Sequence, residues 1–267
     1  MHIKNPPQHL AMALLIFLLT LTVTIQASAQ VKDDAGSEEV VRDGTDPRDF
    51  GRRFQLQNEY LELKDSGKIN TTKVVINNFL GLRGNFNPTI EIPLVYRDPS
   101  IPGVNTEFGL GDILFRGYFK KPTSRQLTFI YGGELKLPSA EEDILGTGKW
   151  TASPMLGFVY ALNKTDIFAP IYFHDVSFSG NDGRADIHKG RFRIFVKKTI
   201  SKQFYILGEG QIVIDYENDN ESEFFLSADF GAIFAEGTIL TVKPGIGIDP
   251  GPGEREWGVT LSYKKYF

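Results

Sequence analysis

The chain has 267 residues, 41% of them hydrophobic and 23% charged, with no cysteine, 27 glycines and 21 phenylalanines. These totals exclude a disordered tail, a collagen-like fibre and a disulfide-stapled miniprotein, and leave one sizeable domain or two small ones. A formal charge of −4 supplies no electrostatic footprint for nucleic acid.

Residues 1–29 have the form of a secretory signal peptide. Lys4 lies in a short polar start, the apolar run 10–25 (LAMALLIFLLTLTVTI) follows, and Ala27-Ser28-Ala29 is a small-residue site with cleavage expected after Ala29. The apolar run is short for a membrane-anchoring helix. Residues 30–52 are acidic, glycine-containing and aperiodic, and read as a flexible periplasmic leader. From 53 to 267 the chain alternates. In 125–137, Leu127, Phe129, Tyr131, Leu135 and Leu137 share one parity against Gln126, Thr128, Glu134 and Lys136, with Ile130 the one large apolar exception. In 203–217, Phe204, Ile206, Ile212, Ile214 and Tyr216 oppose Gln203, Glu209, Gln211 and Asp215. A period of two is the mark of a strand with one apolar and one polar face.

The same test along the chain predicts about twelve strands: 53–62, 71–82, 86–97, 108–120, 125–137, 150–161, 165–178, 190–199, 203–217, 223–235, 238–249 and 257–267. Each is near the ~10 residues that a tilted strand needs to cross an outer membrane. Long polar loops are expected at 64–70, 98–108, 138–149, 179–189, 218–222 and 250–256. They alternate with short turns near 83–85, 121–124, 163–164, 201–202 and 236–237. That asymmetry predicts an all-β fold, a transmembrane antiparallel up-and-down β-barrel of about twelve strands. An even count puts both termini on the periplasmic side. The competing fold is a secreted β-sandwich or lipocalin-like barrel, with the apolar faces turned inward.

Energy decides the facing. In 108–120, Asp112, Arg116 and Lys120 oppose Ile113, Phe115 and Phe119, and a one-residue slip would aim the charges at lipid, at about 2–4 kcal/mol for each mid-membrane Arg or Lys. The charged parity is therefore expected in the lumen: Asp112, Arg116, Glu134, Lys136, Arg191, Arg193, Asp215 and Asp229. Phe192, Ile194, Val196, Phe224, Leu226, Phe230 and Phe234 then face lipid. Three-residue connections at Ser201 and Glu236 would place Arg193 opposite Glu209 and Asp229 opposite Lys243, and a five-residue loop centred on Asp219 would set Glu209 beside Asp229, giving a lateral row Arg193, Glu209, Asp229, Lys243. Such a row is either an ion-pair network that stiffens a narrow lumen or a charged constriction that sets which solutes pass.

Catalytic signals are sparse. His174-Asp175 and Ser177, with Asp186 and His188 in the next loop, could supply a base, an orienting acid and a nucleophile for an outer-membrane hydrolase. Gly146-Thr147-Gly148-Lys149 lacks the upstream glycine of a phosphate loop, and Trp150 stands where Ser or Thr is required. The acidic loops at 141–143 and 219–223 lack EF-hand spacing. No cofactor, metal site or catalytic residue is assigned, and the chain is read as a non-enzyme.

The motif Gly109-Leu110-Gly111-Asp112, followed by Leu137-Pro138, an acidic loop, the block Gly146-Thr147-Gly148-Lys149-Trp150, and Pro154, resembles the outer-membrane proteins associated with the meta-pathway of phenol degradation. Ser139-Ala140 stands where that family tends to have Thr-Gly. The resemblance implies a bacterial outer-membrane barrel with a part in uptake of small hydrophobic or aromatic compounds. Phe267, closing the alternating last strand, resembles the C-terminal signal read by barrel-assembly machinery. The reading is thus a monomeric barrel, exported through the signal peptide, with outer-membrane lipid, lipopolysaccharide, the assembly machinery and a small-molecule solute as partners. The loops at 101–103 and 145–149 are candidates to fold inward and narrow the lumen. The alternative is a structural or adhesive barrel with a filled lumen.

Overall fold

A computed structural model describes residues 43–82, 84–234 and 237–267. The signal peptide and cleavage site expected at 1–29 lie outside the described residues. Thirteen strands follow in chain order: β1 (Arg53–Leu63), β2 (Gly67–Asn77), β3 (Phe86–Asp98), β4 (Glu107–Leu110), β5 (Leu114–Pro122), β6 (Leu127–Lys136), β7 (Lys149–Ala161), β8 (Ile167–Gly180), β9 (His188–Thr199), β10 (Phe204–Asp215), β11 (Glu221–Phe234), β12 (Thr238–Gly247) and β13 (Arg255–Tyr266). β4 and β5 both pair with β3, through Leu94↔Leu110 and Glu91↔Leu114, so they are two halves of one stave and the barrel has twelve. Every neighbour is antiparallel, and β1 closes the ring on β13, from Arg53↔Tyr266 to Leu63↔Arg255. Full closure leaves no sheet edge.

The apolar parity lies outside. Phe115, Phe119, Phe129, Tyr131, Phe192, Phe230, Phe234, Trp257, Leu261 and Tyr263 are all exposed, while Arg116, Glu134, Arg191 and Arg193 point into the interior and line its cavities. Phe224 shares the outward parity but is buried. The inward parity is not uniformly polar, and Ile130 is one of several apolar residues on it. Ile130, Met155, Val159, Ile167, Ala169, Ile171 and Phe173 pack into one interior cluster, and Tyr205, Leu207 and Ile239 into another. Val159, Ile167, Tyr205 and Ile239 lie close to the turns at the rim that carries the start of β1 and the end of β13, so apolar side chains narrow that end of the lumen. The secreted alternative, with the outer phenylalanines and leucines as core, fails.

The first hairpin breaks the expected alternation of loop lengths. The connection from β1 to β2 is the tight turn 64–66, and the connection from β2 to β3 is the longer 78–85, so β2 begins and ends earlier than the 71–82 expected. Asp65 (φ 57°) and Gly67 (φ 90°) make the tight turn, and a side chain at Gly67 would strike the Asp98 carbonyl. At 78–85 the Asn78 side chain shapes the loop: its Oδ1 accepts from Leu82 N at 2.8 Å and its Nδ2 donates to Leu82 O at 2.8 Å.

Candidate functional site

Inward-facing charge is costly unless paired, and the described lumen pairs it in clusters. Glu134 on β6 accepts from Arg116 Nε of β5 at 2.6 Å and from Arg191 Nη2 of β9 at 2.8 Å. Arg116 also meets Glu91 at 3.1 Å, and Arg191 meets Asp175 at 2.5 Å. Glu209 on β10 accepts from Arg193 Nη2 at 2.6 Å and from Lys243 Nζ at 3.3 Å. Lys73 pairs with Glu59 at 3.2 Å and Arg255 with Glu223 at 2.6 Å. Asp175 and Glu223 apart, these groups line a central cavity of about 370 Å³. A second cavity of about 730 Å³, nearer the far rim, is lined by Lys136, Asp215, Arg184 and Lys189 among others.

The expected row forms in part. Arg193, Glu209 and Lys243 come together, whereas Asp229 does not join them. The β9–β10 ladder closes at Thr199↔Tyr205, leaving five residues where three were supposed, so Arg193 stands opposite Gln211 and Glu209 opposite Phe195. The β10–β11 loop has five residues but is centred on Asn218, so Glu209 stands opposite Ser227. Arg193 reaches Glu209 along the diagonal, a span of roughly 7–8 Å between backbones that a guanidinium bridges. Asp229 stands opposite Leu207, one step toward the terminal rim; the β11–β12 register puts it in line with Lys243 as expected, but its ion-pair partner is Lys264 at 3.8 Å. Both are buried, and Asp229 Oδ1 has no hydrogen-bond partner.

The two parts of the phenol-pathway motif meet in space. Asp112, in the break between β4 and β5, accepts from Thr147 N at 2.6 Å, Thr147 Oγ1 at 2.7 Å and Ala140 N at 3.3 Å. Glu141 Oε2 accepts from Leu110 N at 3.0 Å. Gly146 lies against the Asp112 carboxylate and Ala140, where a side chain would not fit. Arg184 of the next loop donates to Gly146 O at 2.7 Å and Thr147 O at 3.3 Å, and Lys149 holds Asp186 at 2.8 Å. That ammonium keeps the Asp186 carboxyl below the usual carboxylate range. Asp112 therefore clasps the loop at 137–148, whose Ile144, Leu145, Gly146 and Thr147 line an interior cavity. The loop at 101–103, the other candidate, is exposed. Trp150 and Pro154 lie exposed on the outer face of β7, Gly148 approaches the Arg184 side chain, and Gly109 and Gly111 lie against Glu141 and Val95.

The hydrolase constellation does not assemble. His174 and His188 point outward, with Nε2 to Nε2 at 3.2 Å, and His174 Nδ1 is 2.9 Å from the Tyr172 hydroxyl. Asp175 points inward to Arg191, and Ser177 Oγ is engaged by Ile187 N and Asp186. Base and nucleophile are on opposite faces of the wall. Among the described residues no group of three His, Cys, Asp or Glu could hold a metal ion.

Sequence reasoning missed the segment 43–52, which is held in place rather than flexible. Asp43 pairs with Lys197, Phe50 packs on Tyr118 with ring centroids 5.2 Å apart, and Tyr266 donates to Asp49 at 2.6 Å. Asn78 Nδ2 donates to Phe50 O at 2.9 Å, and Lys120 Nζ to Arg48 O at 2.7 Å. β5, β9 and β13, which carry Tyr118, Lys197 and Tyr266, lie four staves apart around the ring, so a segment touching all three crosses the mouth at the terminal rim. The acidic, aperiodic sequence gives no such signal, because its partners are distant side chains.

No family model matches the sequence and no curated protein matches it, so the phenol-pathway resemblance rests on its motifs alone. Solved structures do match. The COG4313 outer membrane channel from Pseudomonas putida F1 is similar at a TM-score of 0.68 and 12% identity, over 88% of this chain and 100% of that one. The NanC porin is similar at 0.61 and 11% identity, over 80% and 99%. The KdgM porin is similar at 0.51 and 10% identity, over 80% and 99%. At these identities the likeness establishes the fold alone: a closed twelve-stave antiparallel barrel.

Proposed function

We propose that this chain resides in the outer membrane and gives small solutes a passive path through its lumen, without catalysis. The observation that supports this most is a closed wall with an exposed apolar exterior around interior cavities lined by Arg, Lys, Glu and Gln. Lining of that kind suits polar solutes better than the hydrophobic or aromatic ones implied by the phenol-pathway resemblance. The outer phenylalanines, leucines and tyrosines meet lipid and lipopolysaccharide, and the exposed Phe267 serves as the assembly signal. The clasped loop at 137–148 and the segment 43–52 narrow the two ends.

A second reading, a structural barrel with a filled lumen, is favoured by one specific observation: the interior apolar clusters and the segment crossing the mouth lie at the same rim. Planar-bilayer recording separates the two. The channel reading expects discrete conductance steps from the protein, larger ones when residues 30–50 are removed, and matching solute entry in liposome swelling. Silence from both forms in both assays would eliminate it.

A further inference from the structure

We infer that the lumen is selective for small oxyanions, recognised by Arg193 and Lys243 on either side of Glu209. The inference rests on the passive-channel reading and deepens it by naming the solute class. It turns on which charges a solute can reach. The Glu134 and Glu209 side chains are only 3% and 6% exposed, whereas those of Arg116, Arg191, Arg193 and Lys243 are 22–26% exposed. Glu134 and Glu209 sit back against the wall and their cations stand forward of them, whereas Glu59 and Glu223 are about as exposed as Lys73 and Arg255. The excess of accessible positive charge is therefore local to the Glu134 and Glu209 clusters.

The two clusters differ in balance. Around Glu134, Arg116 and Arg191 are offset by Glu91 and Asp175 as well, so no positive charge is left over. Around Glu209, two cations share a single carboxylate, and the trio carries one net positive charge. Donor capacity points the same way. Arg193 spends Nε and Nη2 on Glu209, and Lys243 spends one of its three protons there. The Nη1 group of Arg193 and the remaining Lys243 protons are available to an oxyanion in a forked arrangement. Around the central cavity seven Arg and Lys side chains stand against four Glu. A narrow lumen with low-dielectric walls focuses such a field and raises the local concentration of anions. The shared chemistry is a carboxylate or phosphate group on a small solute.

The test is reversal potential across a potassium chloride gradient with the full-length protein in planar bilayers. Anion preference is expected for the wild type, weakening at 1 M salt, where the screening length falls to about 3 Å. Arg193→Glu with Lys243→Glu should reduce the chloride-to-potassium permeability ratio by at least about threefold. Lys164→Glu, in an exposed turn, makes the same kind of charge change and should leave the ratio alone. A cation-preferring wild type, or a double variant with unchanged selectivity, would overturn the inference while leaving the channel reading standing. Absence of current from every form would overturn the channel reading instead. Calorimetric titration with inorganic phosphate and with malonate then decides the site. Binding by the wild type that is lost in Arg193→Gln/Lys243→Gln, a variant that removes charge without reversing it, supports the site. No heat from wild type with either probe overturns it. Heat with one probe alone identifies whether phosphate or carboxylate is the preferred group.

Discussion

Asp229 and Glu209 are both inward carboxylates, two strands' width from a lysine, yet their roles separate. Glu209 faces the central cavity between Arg193 and Lys243, whereas Asp229 is buried beside Lys264 with one oxygen unpartnered. The register between β11 and β12 is the same on both sides of the gap at 228–229, from Ser227↔Gly245 to Phe230↔Val242, and the gap lies beside Pro244, which has no N–H to give. Asp229 thus falls in line with Lys243, yet its carboxylate pairs with Lys264. Asp229→Ala should therefore lower unfolding stability by about 3 kcal/mol, since it strands a buried lysine, and should leave reversal potential unchanged. Urea titration in lipid vesicles and bilayer recording measure the two. Asp166, in the turn between β7 and β8, makes a pH prediction. Burial works to raise its pKa, but hydrogen bonds from Lys198, Thr199 N and Asn163 outweigh this and hold it below 3.8. A depressed carboxyl contributes stability above its unfolded value and loses it as pH falls through the folded value. Acid titration of unfolding below about pH 4 should show that loss in wild type and not in Asp166→Asn.

At the scale of elements, all twelve staves could be read from the alternation, because a period of two with charge on one parity allows one facing only. Three features could not. β2 was misplaced because Asn70, Thr71 and Thr72 interrupt the apolar parity, and its preceding turn is set by the left-handed Asp65 and Gly67. The interior cluster at Ile130 was visible as a single exception, with no sign that Val159, Ile167 and Phe173 would join it. The clasp between Asp112 and Thr147 was present as two motif fragments, 35 residues apart, whose contact only the fold creates. Asp112→Ala with Arg184→Ala removes two of the holds on the loop at 137–148, a loss of roughly 2 kcal/mol or more given charge-assisted hydrogen bonds. Limited proteolysis of the protein in vesicles should then cut within 137–148, and the wild type should resist. Equal resistance in both would show that other contacts fix the loop.

For the molecule as a whole, ring closure and a two-sided wall carry the account. β1 pairs with β13 along its length, so the first and last strands are tied into the same barrel, and Phe267 N donates to Arg52 O at 3.1 Å. Everything proposed for the lumen depends on the wall separating two solvents, acyl chains outside and water inside. The most direct check uses the absence of native cysteine. Single cysteines placed at 191, 192, 193 and 194 along β9 can carry a bimane fluorophore in vesicles made with brominated acyl chains. Strong quenching at 192 and 194, with little at 191 and 193, is the result expected of lipid-facing Phe192 and Ile194 and lumen-facing Arg191 and Arg193. Quenching that is uniform along the strand, or strongest at 191 and 193, would contradict the account.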